Sequence, residues 1–256
     1  MEVHHHSHAP HGKKKWTHYF WEFLMLFLAV FCGFLAEYQL ERTIEEHRAS
    51  EFAISMAKDL SEDTAQLNDY ILRMNIAANN VDSFLNLISY NDIQKIPTGT
   101  LYYYGLFGGS PNRFVPNDAT LQQMKSSGTL RYFKNKSLNQ HVARYDRLLR
   151  QFQIKQDYDV TIFTEVRKSR AKIFVTRYNN DANNVYQAFM INGSSAAIDS
   201  FVKTSPPLLT YDKTLFNEYA EMVRSRFLKG FVSMGDSLKQ QATILLNELN
   251  NQYHIN

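Results

Sequence analysis

The feature that most constrains this chain is an apolar run near its beginning. Residues 23–36 are fourteen consecutive positions without a charged side chain. At about 1.5 Å per residue they cover about 21 Å of helix, less than the roughly 30 Å of a bilayer's hydrocarbon core. Extension back to Trp16 gives about 31 Å and includes His18 and Glu22. The run predicts a transmembrane helix over residues 16–40.

The flanks of this run predict its orientation. Lys13–Lys15 precede it, and Trp16, Tyr19 and Trp21 form an aromatic belt beside these lysines. Acidic residues follow it, namely Glu37, Glu41, Glu45 and Glu46. Because positive charge is retained on the cytoplasmic side, we expect residues 1–15 to be a cytoplasmic tail. Residues 41–256 then form an extracytoplasmic domain, and the lipid bilayer is the first predicted partner.

Two other interpretations of the run are open. A cleaved signal peptide also has a basic start and an apolar stretch of about 7–15 residues. Against it, the small-residue site at 34–36 lacks the Ala-x-Ala pattern, and the run is rich in aromatic residues. The second interpretation is a buried core helix, which rarely has a lysine cluster directly beside so dense an apolar run.

Polar and small residues of the span fall near one stripe at helical spacing. The stripe contains His18, Glu22, Met25, Ala29, Gly33, Ala36 and Glu37. Small residues at positions 29 and 33 let helices approach closely, so His18, Glu22, Ala29 and Gly33 are predicted to contact a second copy or another membrane protein. Alternatively, Glu22 snorkels to the headgroups and the stripe arises by chance.

The first eleven residues contain five histidines, which are the only candidates for a metal site. They are His4, His5, His6, His8 and His11. Dense imidazoles bind Zn, Ni or Cu weakly, and the alternative is a solvated, disordered tail. No cofactor is predicted.

The rest of the chain predicts an all-α fold, a bundle of long helices that continues from the transmembrane helix. No Gly or Pro occurs from Tyr38 to Tyr90, and from Ala53 a coiled-coil-like pattern recurs for five heptads. Further helices are expected near 119–126, which Gly128 ends, at 135–178, and from Asp212 to about 251, with bends at Gly230 and Gly235. Asn and Asp dominate residues 179–184 and predict a turn.

Charge predicts how the helices pair. Residues 37–92 carry a net charge of −7 and residues 131–177 a net charge of +8. We expect the acidic and basic helices to pack antiparallel, with an anionic ligand or a lipid surface as the alternative for the basic stretch. The net charge of +3 leaves no surplus for phosphate binding, so nucleic acid is not a predicted partner.

No motif supports catalysis. The segment 105–110 lacks the Gly-Lys-Ser/Thr of a phosphate loop and predicts a turn, and the neighbouring Tyr102–Tyr104 are expected to pack on bundle helices. His141 has no Ser, Cys or acidic partner at a telling spacing. Cys32 is the single cysteine, so a disulfide within the chain is excluded.

Two stretches resemble known sequences. The leader, with His4-His5-His6-Ser7-His8, the aromatic start of the span and Gly33-Phe-Leu-Ala-Glu-Tyr, resembles a group of uncharacterised bacterial single-pass membrane proteins. The pattern Phe114-x-Pro116-x-x-x-Thr120-x-x-x-Met124-x-x-Ser127-Gly128-x-Leu130 resembles a segment of related domains of unknown function. The resemblance implies a cell-envelope protein of a Gram-negative bacterium and no known activity.

These observations favour a non-enzymatic inner-membrane protein whose periplasmic helical bundle binds a protein partner or acts as a scaffold. A sensory domain is the alternative: it would bind a small ligand and signal through the membrane helix to another membrane protein. About 15 residues precede the span, too few for an output domain of its own. An enzyme is a distant third hypothesis.

Overall fold

A computed structural model describes residues 16–109 and 112–255, and these residues confirm the all-α prediction. Eight α-helices follow one another in the described chain, and it contains no strand. They are α1 (Trp16–Tyr90), α2 (Thr98–Leu106), α3 (Ala119–Ser127), α4 (Lys136–Arg170), α5 (Thr176–Asn192), α6 (Ala196–Phe201), α7 (Lys213–Ser225) and α8 (Leu228–Tyr253). Short 3-10 turns occur at Ile93–Lys95, Phe107–Gly109 and Thr129–Tyr132.

The chain divides into two compact units, one ending at Glu51 and the other beginning at Phe52. In the first unit the described residues belong to α1 alone. Between Trp16 and Arg48 every side chain is exposed except the half-buried Leu24 and Glu45. This part of the helix therefore has no protein core of its own.

Four helices form the centre of the second unit: the part of α1 after Phe52, and the whole of α4, α7 and α8. Tyr145 of α4 donates a hydrogen bond to Asp63 of α1, and the partners are 82 residues apart in the chain. One helical heptad further along both helices, the rings of Tyr70 and Phe152 lie 5.4 Å apart. Because both contacts advance in the same direction, α1 and α4 run parallel.

This parallel packing contradicts the antiparallel arrangement expected from charge. Basic residues of the 131–177 stretch bind nearby acids instead: Arg150 binds Asp146, Lys168 binds Glu165, and Lys172 binds Glu218 of α7. Exposed ion pairs contribute about 0–1 kcal/mol each, whereas each buried large apolar side chain contributes about 1.5–3 kcal/mol. Burial of apolar side chains, more than charge, therefore determines that α1 and α4 run parallel.

Helices α7 and α8 run antiparallel to α1 and α4. Arg226, which directly follows α7, binds Asp159 of α4, while Glu218, earlier in α7, binds Lys172 beyond the end of α4. Phe231, early in α8, lies 6.2 Å from Phe152 by ring centroid. The expected bend of the last helix is a complete break at Phe227, whose φ is 52°. Gly230 permits the break, because a Cβ there would lie 2.3 Å from the Phe227 ring.

The predicted stripe of α1 is only part of its buried face. Ala53, Leu60 and Leu67 are buried as expected. A second row at seven-residue spacing is buried as well and was not predicted: Met56, Asp63, Tyr70, Ala77 and Phe84. A helix that contacts one neighbour needs a narrow stripe, whereas α1 contacts both α4 and α8 and needs a wider one.

Two local predictions between residues 135 and 192 are wrong: the helix expected at 135–178 ends at Arg170, and the turn expected at 179–184 lies inside α5. Ala182 of α5 is fully buried, while the Asn and Asp residues from 180 to 184 are exposed. The region from 97 to 109 contains α2, with Tyr102 and Tyr103 buried as expected for tyrosines that pack on helices. Ring contacts hold α2 to α5, including Tyr102 with Tyr178 at 5.8 Å.

Candidate functional site

The exposed part of α1 is apolar enough to cross a membrane. It is the single helix of the described chain with this property, and its most apolar window has a mean hydropathy of 2.0 with no residue buried. The exposed fractions of Phe23 and Phe34 are 65% and 66%. Soluble proteins rarely expose so large a contiguous apolar surface, so lipid or another apolar surface has to cover it.

The predicted contact residues share one face of this helix. His18, Glu22, Ala29 and Gly33 are all exposed, and a Cβ added at Gly33 would meet no atom within 4 Å. His18 lies 6.2 Å from the Tyr19 ring, and no hydrogen bond joins it to Glu22 among the described residues. Among the residues that the structure describes, none covers this face.

The opposite face is a continuous row of aromatic rings, which the sequence analysis did not identify. At about 100° per residue, the row falls within one side of the helix. It contains Trp16, Phe20, Phe23, Phe27, Phe31, Phe34 and Tyr38. Phe27 stacks on both Phe23 and Phe31, with ring centroids 6.3 and 5.9 Å apart. The exposed part of α1 therefore has one aromatic side and one side of small and polar residues.

The candidate metal residues His4, His5, His6, His8 and His11 lie outside the described residues. Within residues 16–109 and 112–255, no three His, Cys, Asp or Glu side chains are grouped so that they could hold a metal ion.

A buried carboxylate lies at the centre of the second unit. Asp63 is fully buried in the middle of α1 and accepts hydrogen bonds from the Asn117 N–H at 2.8 Å, the Asn117 carboxamide at 3.0 Å and the Tyr145 hydroxyl at 2.7 Å. Burial raises the pKa of Asp63, and the nearby charge of Asp59 adds to this, while the hydrogen bonds oppose it. Asp63 thus ties α1, α4 and the segment before α3 together.

The segment held by Asp63 is the one that carries the second resemblance. Phe114 is buried, and its backbone N–H and C=O both pair with the carboxamide of the buried Gln156, at 2.8 and 3.1 Å. Met124 is fully buried, and Gly128 ends α3 in a left-handed conformation with φ of 70°. Two residues of the pattern dock this connection: the ring of Phe114 lies 6.1 Å from that of Phe152 on α4, and the Thr120 N–H donates to Asp59 of α1 at 3.4 Å.

A second buried polar cluster closes the end of α2. The Arg226 side chain is 1% exposed and forms a two-point ion pair with Asp159, at 2.9 and 2.5 Å. It also donates to the Gly108 carbonyl at 2.7 Å. Arg170 donates to the Leu106 carbonyl at 3.2 Å, and Tyr219 donates to that of Gly105. The last carbonyls of a helix need such donors, so this cluster stabilises a helix end.

The environment of this cluster changes its titration. Burial lowers the pKa of Arg170 and raises the pKa of Tyr219 to about 12.

At Gly108 a Cβ would lie 2.4 Å from Val223, so only glycine fits between the end of α2 and α7. The expected turn at residues 105–110 is in its described part the end of α2 followed by a 3-10 turn, and the arginines that hold it lie far away in sequence.

The structure supplies a partner for His141 that the sequence did not indicate. Nδ1 of His141 hydrogen-bonds to Oε2 of Glu248, which lies on α8 and 107 residues later in the chain. Both side chains are half-buried and line an open groove of about 510 Å³ with Asn135, Ile244, Asn247, Asn251 and Gln252. The pair joins the first turns of α4 to the last turns of α8.

Comparison with known proteins gives no match: no family model, no curated protein and no solved structure is significantly similar to this chain.

Proposed function

We propose that this chain is a single-pass inner-membrane protein whose helical domain binds a protein partner or acts as a scaffold at the periplasmic face. The observation that carries the proposal is the first part of α1, an apolar helix without a protein core of its own. A hydrophobic helix of this length is most stable in a bilayer, where its backbone groups are satisfied within the helix.

The charges around the span support the orientation. Lys13–Lys15 come before the uncharged run of residues 23–36, and four glutamates follow within ten residues of the end of that run. The positive-inside rule then puts residues 1–15 in the cytoplasm and residues 41–256 in the periplasm.

A binding role without catalysis is supported by where the buried polar groups lie. Asp63 and Arg226 are both buried, and each joins three parts of the chain through hydrogen bonds. Catalytic groups with perturbed pKa values lie in clefts open to substrate. Here the buried polar groups act as fixed joints between helices, which suits a rigid binding module.

A reporter enzyme that is active only in the periplasm tests the orientation. Fused after Asn256 it should be active, and fused after Lys15 it should be inactive, because the two points lie on opposite sides of the predicted span. Activity only in the second fusion would reverse the orientation, and equal activity in both would remove the span from the proposal.

A second candidate function is a sensory domain for a small ligand. It is favoured by the groove around His141 and Glu248, where a His–carboxylate pair presents an oriented imidazole beside several carboxamides. Native mass spectrometry of protein purified from membranes distinguishes the two candidates. A stoichiometric protein partner supports the scaffold, whereas a retained small molecule that is lost in His141→Ala supports the sensor.

A further inference from the structure

A longer groove lies at the other end of the bundle, between the last turns of α1 and the whole of α7. Its volume is about 640 Å³, within the roughly 300–1,000 Å³ of ligand-binding clefts. Leu85, Ile88 and the buried Phe216 supply apolar lining, and Ala220 leaves its middle open. The groove is distinct from the two buried polar clusters and from the groove at His141.

The side of the groove formed by α7 is a regular stripe with a cation at each end. Lys213 is the first residue of α7 and Arg224 lies three turns later, so their Cα atoms are about 16 Å apart. Between them the stripe continues through Phe216, Asn217, Ala220 and Glu221. The site is therefore elongated rather than round.

Several polar side chains of the groove are free to bind a ligand. Those of Lys213, Asn86 and Asn217 are exposed, and among the described residues none of them makes a side-chain hydrogen bond or an ion pair. Arg224 uses one guanidinium nitrogen to bind Glu221 at 2.9 Å, which leaves other donors of its planar fork available.

The net charge of the groove is positive. Lys213 and Arg224 outnumber Glu221 among its lining residues. The nearest acids at this end of α1 are already engaged: Asp82 binds Lys229, and Asp92 accepts a hydrogen bond from the Gln94 N–H at 3.3 Å. An occupant with negative charge at its two ends matches this pattern.

From this geometry we infer that the groove binds an extended acidic peptide segment of a partner protein. Carboxamides both donate to and accept from peptide groups, so Asn86 and Asn217 suit a peptide backbone. Five extended residues span about 13 Å between the first and last Cα, which puts acidic side chains at their ends within reach of Lys213 and Arg224. An apolar third residue would lie against Phe216 and Ile88. This inference rests on the proposed function, since it names the kind of partner that the domain binds.

Fluorescence polarisation with the full chain in nanodiscs tests the inference. The probes are labelled five-residue peptides with glutamate at both ends and Leu, Phe or Val in the middle, with lysine-ended peptides as the matched set. We expect the glutamate-ended peptides to bind at least about 10-fold more tightly, and this preference to weaken as salt is raised.

Single substitutions distinguish peptide binding in the groove from attraction to the overall charge of the protein. Lys213→Glu should weaken binding of the acidic peptides about 10-fold or more, and Glu221→Gln should strengthen it because a repelling charge is removed. Lys136→Glu is the matched control: Lys136 is exposed and begins α4 as Lys213 begins α7, but it lies outside the groove. Circular dichroism checks that each variant is folded.

The inference is overturned if glutamate-ended and lysine-ended peptides bind equally, or if Lys136→Glu has the same effect as Lys213→Glu. It is also overturned if a co-purified partner remains bound to both Lys213→Glu and Lys213→Ala. In that last result the proposed function survives and only the groove is wrong. If instead no partner is found but the acidic peptides bind as expected, the peptide site stands and the scaffold role does not.

Discussion

The two parts of α1 make opposite use of apolar side chains within one continuous helix. Between Trp16 and Arg48 every large apolar side chain except Leu24 is exposed, with Phe31 at 47% and Trp16 at 85%. Beyond Phe52 most apolar residues lie in two buried rows, with Leu67 fully covered. Residues 23–36 of the first part have no charged side chain on any side, whereas the second part has one apolar side and one charged side. The difference shows that the distribution of charge around a helix, more than its apolar content, decides what covers it.

The largest effect on stability should come from a charge in the buried part of α1, and the same change in the exposed part should affect membrane binding instead. Leu67→Asp buries an unpaired carboxylate and should destabilise the second unit by more than about 4 kcal/mol. Leu28→Asp should leave the thermal unfolding of that unit unchanged and reduce the membrane-bound fraction. Circular dichroism melts of residues 45–256, which we expect to fold alone and to be almost wholly helical, provide the baseline. Substantial strand content in that fragment would contradict the comparison.

The buried ion pair between Asp159 and Arg226 gives the next largest effect. Asp159→Asn removes the charge that compensates the guanidinium of Arg226, which is almost fully buried, and should cost about 3–5 kcal/mol. The matched control is Asp69→Asn, which removes an exposed pair with Arg73 on the outer side of α1 and should cost at most about 1 kcal/mol. Urea unfolding of residues 45–256 measures both, and equal losses would mean that the cluster at the end of α2 is not a structural joint.

Asp63 should make the stability of the second unit depend on pH. Its pKa is raised in the folded state, so its contribution to stability is greatest below its ordinary pKa near 3.8 and is lost as pH rises through the raised value. Asp63→Asn cannot titrate, and its carboxamide offers one acceptor and one donor as the protonated carboxyl group does, so variant and parent should be about equally stable near pH 3.5. The parent should then lose stability relative to the variant as pH rises from about 3.5 to 7. A parent that gains stability relative to the variant over this range would contradict the raised pKa.

The smallest effect concerns the two sides of the membrane helix. Gly33→Ile puts a large side chain on the small and polar side and should weaken helix association more than Glu22→Gln, since interhelical hydrogen bonds are worth only about 0.6–2 kcal/mol. Phe31→Ile, on the aromatic side, should have little effect and is the control. An in-membrane dimerisation assay ranks the three variants. Association lost only in Phe31→Ile would assign the contact to the aromatic side instead.

The sequence was sufficient for features that depend on local chemistry. The unbroken helix to Tyr90, the end of α3 at Gly128 and the start of α7 at Asp212 were all predicted from residue type and spacing, and the structure confirms them. Each depends on residues within a few positions of one another.

Features that depend on distant residues could not be predicted in this way. The row from Met56 to Phe84 contains the buried Asp63, so apolar periodicity alone does not reveal this row. The burial of Asp63 is explained by its hydrogen bonds to Asn117 and Tyr145. The break at Phe227 depends on a ring that fills the space left by Gly230. The partner of His141 is 107 residues away. The predicted antiparallel packing of α1 and α4 was wrong, because it was inferred from net charge, whereas burial of apolar side chains determines the helix direction.

The parallel arrangement of α1 and α4 has a consequence for synthesis. Asp63 and Tyr145 are 82 residues apart, so the buried face of α1 leaves the ribosome long before its partner exists. At about 5–20 residues per second, the delay is at least about 4–16 seconds, and α8 follows still later. During that interval the rows around Leu60 and Leu67 are uncovered. The later part of α1 is therefore the segment on which a chaperone would act, and slower elongation between α1 and α4 would lengthen its exposure.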